Sequence, residues 1–152
     1  MTRPTWNQYF IKIAEVVSER SLDFDTKVGC VIVDQRNRIV STGYNSNPTG
    51  CADDNYWPTT REKKEIIPGL HVDKYQIFVH SEANAIAASN GCLVGCTLYC
   101  TLHPCNECAK LIATAGIKKV YYKIYRDDDP SKIARLILEQ AGIELKQIES
   151  ID

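Results

Sequence analysis

The hydrophobic positions near the start of the chain repeat at helical spacing. Over residues 5–20 the apolar side chains recur every three or four positions, as on one face of an amphipathic helix. They are Trp6, Tyr9, Phe10, Ile13, Val16 and Val17, and Pro4 stands where a first helical turn tolerates proline. The pattern then changes to two runs with strand character, residues 28–33 and 39–43, separated by polar turn residues. We therefore predict a helix followed by a β-hairpin.

Helical and strand patterns alternate through the second half of the chain. Three segments have helical character and end at a glycine: residues 82–90, 106–115 and 130–141, followed by Gly91, Gly116 and Gly142. Strand character lies at residues 96–101, 119–124 and 143–148. Together with the hairpin, this order predicts an α/β fold, a three-layer α/β/α sandwich around a mixed five-stranded sheet.

The segment of residues 44–77 is the exception, because it is rich in Asn, Pro, Asp and Gly and shows little periodicity. Stretches of more than about 12 to 15 residues without secondary structure are uncommon in compact domains and are usually functional or disordered. Tyr56, Trp57 and Leu70 give this segment side chains that are able to pack. We therefore predict one domain over residues 1–152 with a long functional loop at about 44–77. A disordered surface insertion is the alternative.

Composition and charge narrow the class of protein. A chain of 152 residues with 44% hydrophobic content suits one domain with an ordinary core. The sequence has neither a secretory leader nor an apolar run of membrane-spanning length, so we expect a soluble, cytoplasmic protein without a membrane partner. The formal net charge is −1 and basic residues do not cluster, whereas proteins that bind polynucleotides normally carry a basic surface. We therefore expect a small substrate and no nucleic-acid partner.

Two short motifs carry the chemistry. They contain His80 and Glu82 in the first, and Cys105 and Cys108 in the second. Together they match the H-x-E and P-C-x-x-C signature of zinc deaminases. One imidazole and two thiolates would hold Zn²⁺ and leave its fourth tetrahedral position for water. Glu82 is not a ligand in this signature, and it would move protons as general acid and base.

Other interpretations of these motifs remain open. A structural Cys/His zinc site would need a fourth ligand and would leave Glu82 without a role, and C-x-x-C also occurs in thiol redox pairs. His103 could supply a fourth ligand, but its place two residues before Cys105 on an extended segment favours a histidine at a pocket rim or on the surface. We therefore favour the catalytic site.

The remaining cysteines do not suggest a disulfide framework. Their total of seven is odd, and no secretory leader accompanies them. Four of them lie in apolar segments, where we predict buried free thiols: Cys30, Cys92, Cys96 and Cys100.

Beyond the zinc motif, the sequence resembles the deoxycytidylate (dCMP) deaminase family. The segments that carry the resemblance are residues 28–30, 43–54, 80–86 and 104–110, and the similarity runs over roughly residues 27–129. It implies a cytidine deaminase-like fold and hydrolytic deamination of dCMP to dUMP and ammonia, which supplies the precursor of thymidylate. It also implies that Glu82 takes a proton from water, donates to N3 of cytosine and then helps the amino group leave.

The resemblance also implies substrate contacts. Asn45 would contact the sugar or the base, and the backbone around Ser81 would line the ring. Lys27 and Tyr125 would contact the phosphate, because a charge and a hydroxyl donor there flank the strand ends where a pocket would open. The alternatives are a solvated lysine and a tyrosine in the core or in an interface.

Members of the family are typically hexameric, activated by dCTP and inhibited by dTTP with Mg²⁺. Their regulatory nucleotide binds near a G-Y-N-G-x-P loop, which here makes Asn47, Gly50, Asp53 and Asp54 the expected contacts. Ser46 replaces the glycine of that loop, and serine adopts a positive φ less readily than glycine does. Ser81 replaces the alanine that is usual between the histidine and the glutamate.

Some relatives hold the long loop with an additional structural zinc. Here Cys51 and His71 bracket the loop and are its two visible ligands. A free thiol and an ordinary histidine are favoured over a second metal site, because two ligands do not complete a tetrahedral site.

Three rival functions share the same zinc motif. A free nucleoside could be the substrate, or a base within a nucleic acid, although an editing enzyme needs aromatic stacking and a basic groove, and the sequence shows neither. A non-catalytic, zinc-stabilised binding module is the third alternative.

Overall fold

The structure, a computed structural model, describes residues 2–149. Its helices are α1 (Trp6–Ser18), α2 (Lys74–Ile77), α3 (Ser81–Ala88), α4 (Asn106–Ala115) and α5 (Asp129–Gln140). Its strands are β1 (Gly29–Val33), β2 (Ile39–Tyr44), β3 (Lys64–Ile67), β4 (Leu70–Val72), β5 (Thr97–Leu102), β6 (Lys119–Ile124) and β7 (Glu144–Gln147).

Five strands form one mixed sheet in the order β2-β1-β5-β6-β7. β1 pairs antiparallel with β2 on one side and with β5 on the other, whereas β5, β6 and β7 run parallel. Parallel neighbours need a crossover connection, which α4 provides between β5 and β6 and α5 provides between β6 and β7. The predicted mixed five-stranded sheet is confirmed.

The residues of β1 alternate between two packed layers. Val31 and Val33 join Phe10 of α1 in one core cluster. Cys30 and Ile32 belong to the larger cluster on the other face, which also contains residues of α3, α4 and α5. Every residue of β1 is therefore buried, which explains why this strand has a continuous apolar sequence rather than an alternating one. The helices on both faces confirm the predicted three-layer sandwich.

A close backbone approach fixes α3 against the sheet. A Cβ atom added at Gly43 of β2 would lie 2.3 Å from the carbonyl oxygen of Ser81 and 2.5 Å from the amide nitrogen of Ala85. Only glycine therefore fits at this contact. Ser41 secures the same helix, because its Oγ donates to the carbonyl oxygen of Ala85 at 2.7 Å. These contacts pack α3 directly against β2.

The segment of residues 44–77 has more regular structure than its sequence predicts. It contains the antiparallel β3–β4 hairpin and the single turn of α2, whose N-cap Asp73 forms a capping box with Gln76. Strands of three and four residues are too short to produce a recognisable alternation, which is why the pattern missed them. The prediction of one long irregular loop is therefore wrong in this part, whereas its functional role remains a prediction.

The cysteine predictions hold except at one position. Cys30, Cys96 and Cys100 are buried, but Cys92 is exposed. Cys92 lies in the connection after α3, where the next residue, Leu93, packs into the core instead. Among the helices of the described residues, none combines the length and the apolar character that crossing a membrane requires.

Candidate active site

His80, Cys105 and Cys108 bring three metal-ligating atoms together. The Nδ1 atom of His80 lies 3.4 Å from the Sγ atom of Cys105 and 3.3 Å from that of Cys108. With Zn–S bonds of about 2.3 Å and Zn–N bonds of about 2.0 to 2.1 Å, a tetrahedral ion spaces such ligands by about 3.6 Å. The donor set and its spacing therefore fit Zn²⁺ to within a few tenths of an ångström.

The chain places these ligands at the starts of two helices. His80 is the N-cap of α3 and Cys105 is the N-cap of α4, both with extended backbone, and Cys108 lies in the first turn of α4. The unpaired N–H groups and the positive end of each helix dipole favour negative charge at this point. The site is therefore electrostatically suited to thiolates before any metal binds.

The three ligands also change each other's protonation. A hydrogen bond from Cys108, assisted by His80, lowers the pKa of Cys105 to about 4. The pKa of Cys108 is raised because it supplies that hydrogen bond and is buried, and the pKa of His80 is raised by its hydrogen bond with Cys105. Cys105 is thus a thiolate at neutral pH, the form that binds metal.

Glu82 lies beside this cluster but outside it. Its side chain is in the first turn of α3 and is only 4% exposed. Its Oε1 atom accepts hydrogen bonds from the Oγ of Ser81 at 2.5 Å and from the thiol of Cys100 at 2.9 Å. The three-residue metal cluster does not include Glu82, and its role as a non-ligand carboxylate stays a prediction.

The cluster and the carboxylate share one cavity of about 240 Å³. His80, Ser81, Glu82 and Cys105 line it, as does Asn45. Its volume lies just below the roughly 300 Å³ at which ligand pockets in proteins typically begin. The cavity therefore brings two of the three predicted metal ligands, His80 and Cys105, together with three other predicted site residues.

Asn45 supports the wall of the cavity with its side-chain amide. Its Oδ1 accepts from the N–H of Val28 at 2.8 Å, and its Nδ2 donates to the carbonyl oxygen of Thr26 at 2.9 Å and to Asp23 at 3.3 Å. Both N–H bonds of the amide are therefore used within the chain, while Oδ1 keeps a second lone pair. The predicted substrate contact of Asn45 remains a prediction, limited to that lone pair.

The two residues predicted to contact a phosphate do not line the cavity. Lys27 is exposed, and Tyr125 packs edge-on against His103 at 5.2 Å between ring centroids. The cavity wall instead contains the cationic side chains of Arg61 and Arg126. Arg126 follows the carboxyl end of β6, a position where open α/β sheets bind ligands, and this signal could have identified it from the sequence.

Lys74 is a buried residue that the sequence did not single out. Its side chain is 3% exposed, and its Nζ lies 2.7 Å from carboxylate oxygens of both Asp23 and Asp25. Asp23 also accepts from the N–H of Thr26 at 2.9 Å. These bonds tie α2 to the segment before β1 and so hold one wall of the cavity in place.

His103 lines the cavity and is not part of the metal cluster. It is 3% exposed, so the prediction of a pocket residue is met, but it is not on the surface. Its Nδ1 lies 2.9 Å from the carbonyl oxygen of Pro104, which can only accept, so Nδ1 carries the proton. Burial lowers the pKa of His103, which keeps the ring neutral.

The residues predicted for a regulatory nucleotide lie outside the cavity wall. Asn47 is buried and donates from Nδ2 to the carbonyl oxygen of Ala52 at 3.0 Å, whereas Asp53 and Asp54 are exposed. Gly50 has a φ of +90°, which requires glycine.

Ser46 fits the loop without strain. Its φ is not among the positive values of the described residues, and it forms an isolated bridge with Val79. Its Oγ accepts from the Nδ2 of Asn84 in α3 at 3.1 Å. Replacing the family's glycine by serine therefore costs no backbone strain here.

Cys51 and His71 do not form a second metal cluster within residues 2–149. Cys51 is an exposed free thiol, and His71 pairs through Nε2 with Glu65 at 3.2 Å.

Removing one ligand should remove the metal. We expect the purified protein to hold about one zinc ion per chain and Cys108→Ser to lose it, because two ligands bind zinc far more weakly than three. Elemental analysis of the purified proteins measures this. Cys96→Ser is the matched control, since Cys96 is a buried cysteine outside the cluster. Equal zinc content in both variants would contradict the assignment.

Comparison with known proteins agrees with this geometry. Residues 4–124 match the model of the family described as "Cytidine and deoxycytidylate deaminase zinc-binding region". The deoxycytidylate deaminase of Homo sapiens is 42% identical over 146 residues, which cover 93% of this chain and 79% of that protein. The deoxycytidylate deaminase of Mycobacterium phage D29 is 40% identical over 129 residues, which cover 80% of this chain and 97% of that one.

A solved structure gives the same result at the level of the fold. The crystal structure of the dCMP deaminase from cyanophage S-TIM5 in complex with dCMP and dUMP superposes with a TM-score of 0.73 and 28% sequence identity, and the match covers 97% of this chain and 100% of that one. By its sequence, its fold and the spacing of its metal ligands, this chain belongs to the cytidine and deoxycytidylate deaminase family.

Proposed function

We propose that the protein is a zinc-dependent hydrolase that converts dCMP and water to dUMP and ammonia. The observation that carries this proposal is the cavity in which a three-ligand metal cluster lies beside a buried carboxylate. A closed structural zinc site has four protein ligands, whereas three ligands leave a position for water. The substrate is supported by the similarity to deoxycytidylate deaminases and to a structure that contains dCMP and dUMP. The product dUMP is the precursor of thymidylate.

In the proposed reaction, His80, Cys105 and Cys108 hold the metal and Glu82 handles the protons. Bound zinc lowers the pKa of a coordinated water to about 7. Glu82 accepts the proton of the water that attacks C4 of cytosine, delivers a proton to N3, and then helps the amino group leave as ammonia. Burial of the carboxylate excludes bulk water from these transfers.

Two arginines in the wall of the cavity favour a nucleotide over a nucleoside as the substrate. We propose that Arg61 and Arg126 bind the phosphate, because both are cationic side chains in the wall of the cavity. Guanidinium groups bind phosphate oxygens through charge-assisted, often bidentate hydrogen bonds. In this proposal the two arginines take the role predicted for Lys27 and Tyr125, because neither of those side chains lines the cavity.

Glu82→Gln should remove turnover and leave the metal and the fold in place. We expect ammonia release from dCMP to fall by about 10²- to 10⁴-fold, because the amide cannot act as a general base. Coupled ammonia assays, elemental analysis and thermal denaturation on one preparation measure this. Glu107→Gln is the control, since Glu107 is an exposed acid in the first turn of α4. Full activity of Glu82→Gln would contradict the proton-transfer role of Glu82. An absence of ammonia release by the wild-type protein would favour the binding-module alternative, and turnover of cytidine or deoxycytidine alone would favour a nucleoside deaminase.

Arg126→Gln should impair the reaction of the nucleotide and leave that of the nucleoside almost unchanged. We expect KM for dCMP to rise about tenfold or more and kcat/KM for deoxycytidine to stay within about twofold, because a charged hydrogen bond is worth about 1.5 to 3 kcal/mol and only dCMP carries the phosphate. Steady-state kinetics with both substrates measure the difference. Lys27→Gln is the matched control, because Lys27 is a cation outside the cavity wall. An effect from Lys27→Gln without one from Arg126→Gln would restore the original prediction.

We further propose that the protein is a homohexamer, activated by dCTP and inhibited by dTTP with Mg²⁺. The family resemblance supports this. The regulation is also supported by the position of the four residues predicted to contact the regulatory nucleotide, because they lie outside the cavity wall and a second nucleotide could bind there without competing with substrate. The loop also contacts the site. Ser46 bridges Val79, the residue before His80, and Asn84 of α3 donates to the carbonyl oxygen of Tyr44 at 2.7 Å.

Regulation should depend on the acidic residues of the loop. We expect Asp53→Asn with Asp54→Asn to raise the dTTP concentration needed for half-inhibition about tenfold, because these carboxylates would hold the Mg²⁺ of the triphosphate. Inhibition curves with dTTP and Mg²⁺, and activation curves with dCTP, measure this. Asp127→Asn is the control, since Asp127 is an exposed carboxylate outside the loop. An absence of any response in the wild-type protein would contradict nucleotide regulation.

A further inference from the structure

The carboxylate of Glu82 is held from two directions. The Oγ of Ser81, in the same helix, lies 2.5 Å from its Oε1 atom. The thiol of Cys100, in the middle of β5, lies 2.9 Å from the same oxygen. Both donors reach one oxygen, although they come from different secondary-structure elements.

The surroundings of these donors are closed to water. Ser81 is 1% exposed, Cys100 is fully buried and Glu82 is 4% exposed. Cys100 faces Cys30 across the antiparallel β1–β5 pair, so its side chain has no route to solvent. A hydrogen bond of this kind to a charged group, away from competing water, is stronger than the same bond at a surface.

The backbone that carries Ser81 cannot easily shift. The carbonyl oxygen of Ser81 lies only 2.3 Å from the position that a Cβ of residue 43 would take, so the backbone of α3 contacts the glycine of β2 directly. Cys100 is equally fixed, because β5 pairs with β1 on one side and with β6 on the other. Two rigid elements therefore aim their donors at the same oxygen.

The thiol of Cys100 is a donor and not an anion. Burial raises the pKa of Cys100 well above its usual range, so the proton stays on sulfur. A protonated thiol is a weak donor, but it has a carboxylate as its acceptor here.

We propose that Ser81 and Cys100 are positioning residues that fix the Glu82 carboxylate through Oε1, so that its other oxygen carries the proton between water and the base. This inference rests on the proposed function, because it assigns a role within that reaction. A buried glutamate keeps three rotatable bonds, and two donors on one oxygen select one orientation among its rotamers. Proton transfer is sensitive to this choice, because a misplacement of about 1 Å can cost about 10²-fold in rate.

The two donors should be partly redundant. We expect Ser81→Ala and Cys100→Val each to lower kcat for dCMP about threefold to tenfold with KM unchanged, since one donor still holds Oε1. The double variant should lose about 100-fold or more, which exceeds the product of the single effects. Cys100→Ser should keep most of the activity, because a hydroxyl can donate in place of the thiol.

Two matched variants separate positioning from packing. Ser41→Ala removes a buried serine hydroxyl that also contacts α3, but contacts it at Ala85. Cys96→Val replaces a buried cysteine that does not contact Glu82. Both should change the thermal stability without changing kcat, and all variants should keep their zinc by elemental analysis.

Infrared spectroscopy tests the contact without turnover. A hydrogen bond to a carboxylate lowers the S–H stretching frequency of a thiol, so the Cys100 band should lie lowest among the thiols and should disappear in Cys100→Val. In Glu82→Gln this band should move to higher frequency, whereas Cys96→Val should leave it in place.

The outcomes distinguish this inference from the proposed function. Wild-type kcat in both single variants and in the double variant would overturn the positioning role, as would a loss in Cys100→Val that Cys100→Ser fails to restore. An unshifted infrared band in Glu82→Gln would also overturn it. If the wild-type protein releases no ammonia from dCMP, the proposed function fails instead, and the infrared band still shows whether the thiol binds the carboxylate.

Discussion

The candidate site depends on two helices that begin at one point. α3 and α4 are separated in sequence by a whole strand, yet their N-cap residues supply metal ligands that lie 3.4 Å apart. Two positive helix ends would repel one another at this distance unless negative charge lay between them. The Cys105 thiolate supplies that charge, and the sheet beneath holds α3 in place through the contact at Gly43. Metal binding and helix packing are therefore parts of the same arrangement.

Much of this arrangement could be predicted from the sequence, because the chemistry fixes local spacings. Two sulfurs on one helix turn require C-x-x-C, and a proton carrier beside a ligand requires H-x-E, so both motifs are visible without a structure. The sheet was equally accessible, since its five strands have apolar runs and four of the helices have a helical period or a glycine end. The short hairpin and α2 were missed because three or four residues do not establish a period.

The charged residues that line the cavity could not be predicted as reliably, because they come from separate irregular segments. Lys27 lies between Thr26 and Val28, both of which line the cavity, while Lys27 itself does not. In extended chain, successive side chains point in opposite directions, so the choice of a neighbouring residue turns the side chain away. The same happens at Tyr125, next to Arg126. The sequence thus located segments that border the cavity, and only the structure showed which of the adjacent residues line it.

The double burial of β1 has a consequence for how the molecule loses its structure. The odd and even residues of β1 belong to two different core clusters. Because both helical layers pack on this one strand, neither layer can unfold without exposing buried residues of the strand that the other layer needs. Small domains with such shared elements unfold as one cooperative unit rather than layer by layer. The metal ligands lie at the starts of helices in one layer, but their arrangement is kept only while both helical layers are folded. A destabilising substitution in α1, on the far side of the sheet from the ligands, therefore lowers the free energy of unfolding of the whole domain. The population of molecules with an intact site falls with it.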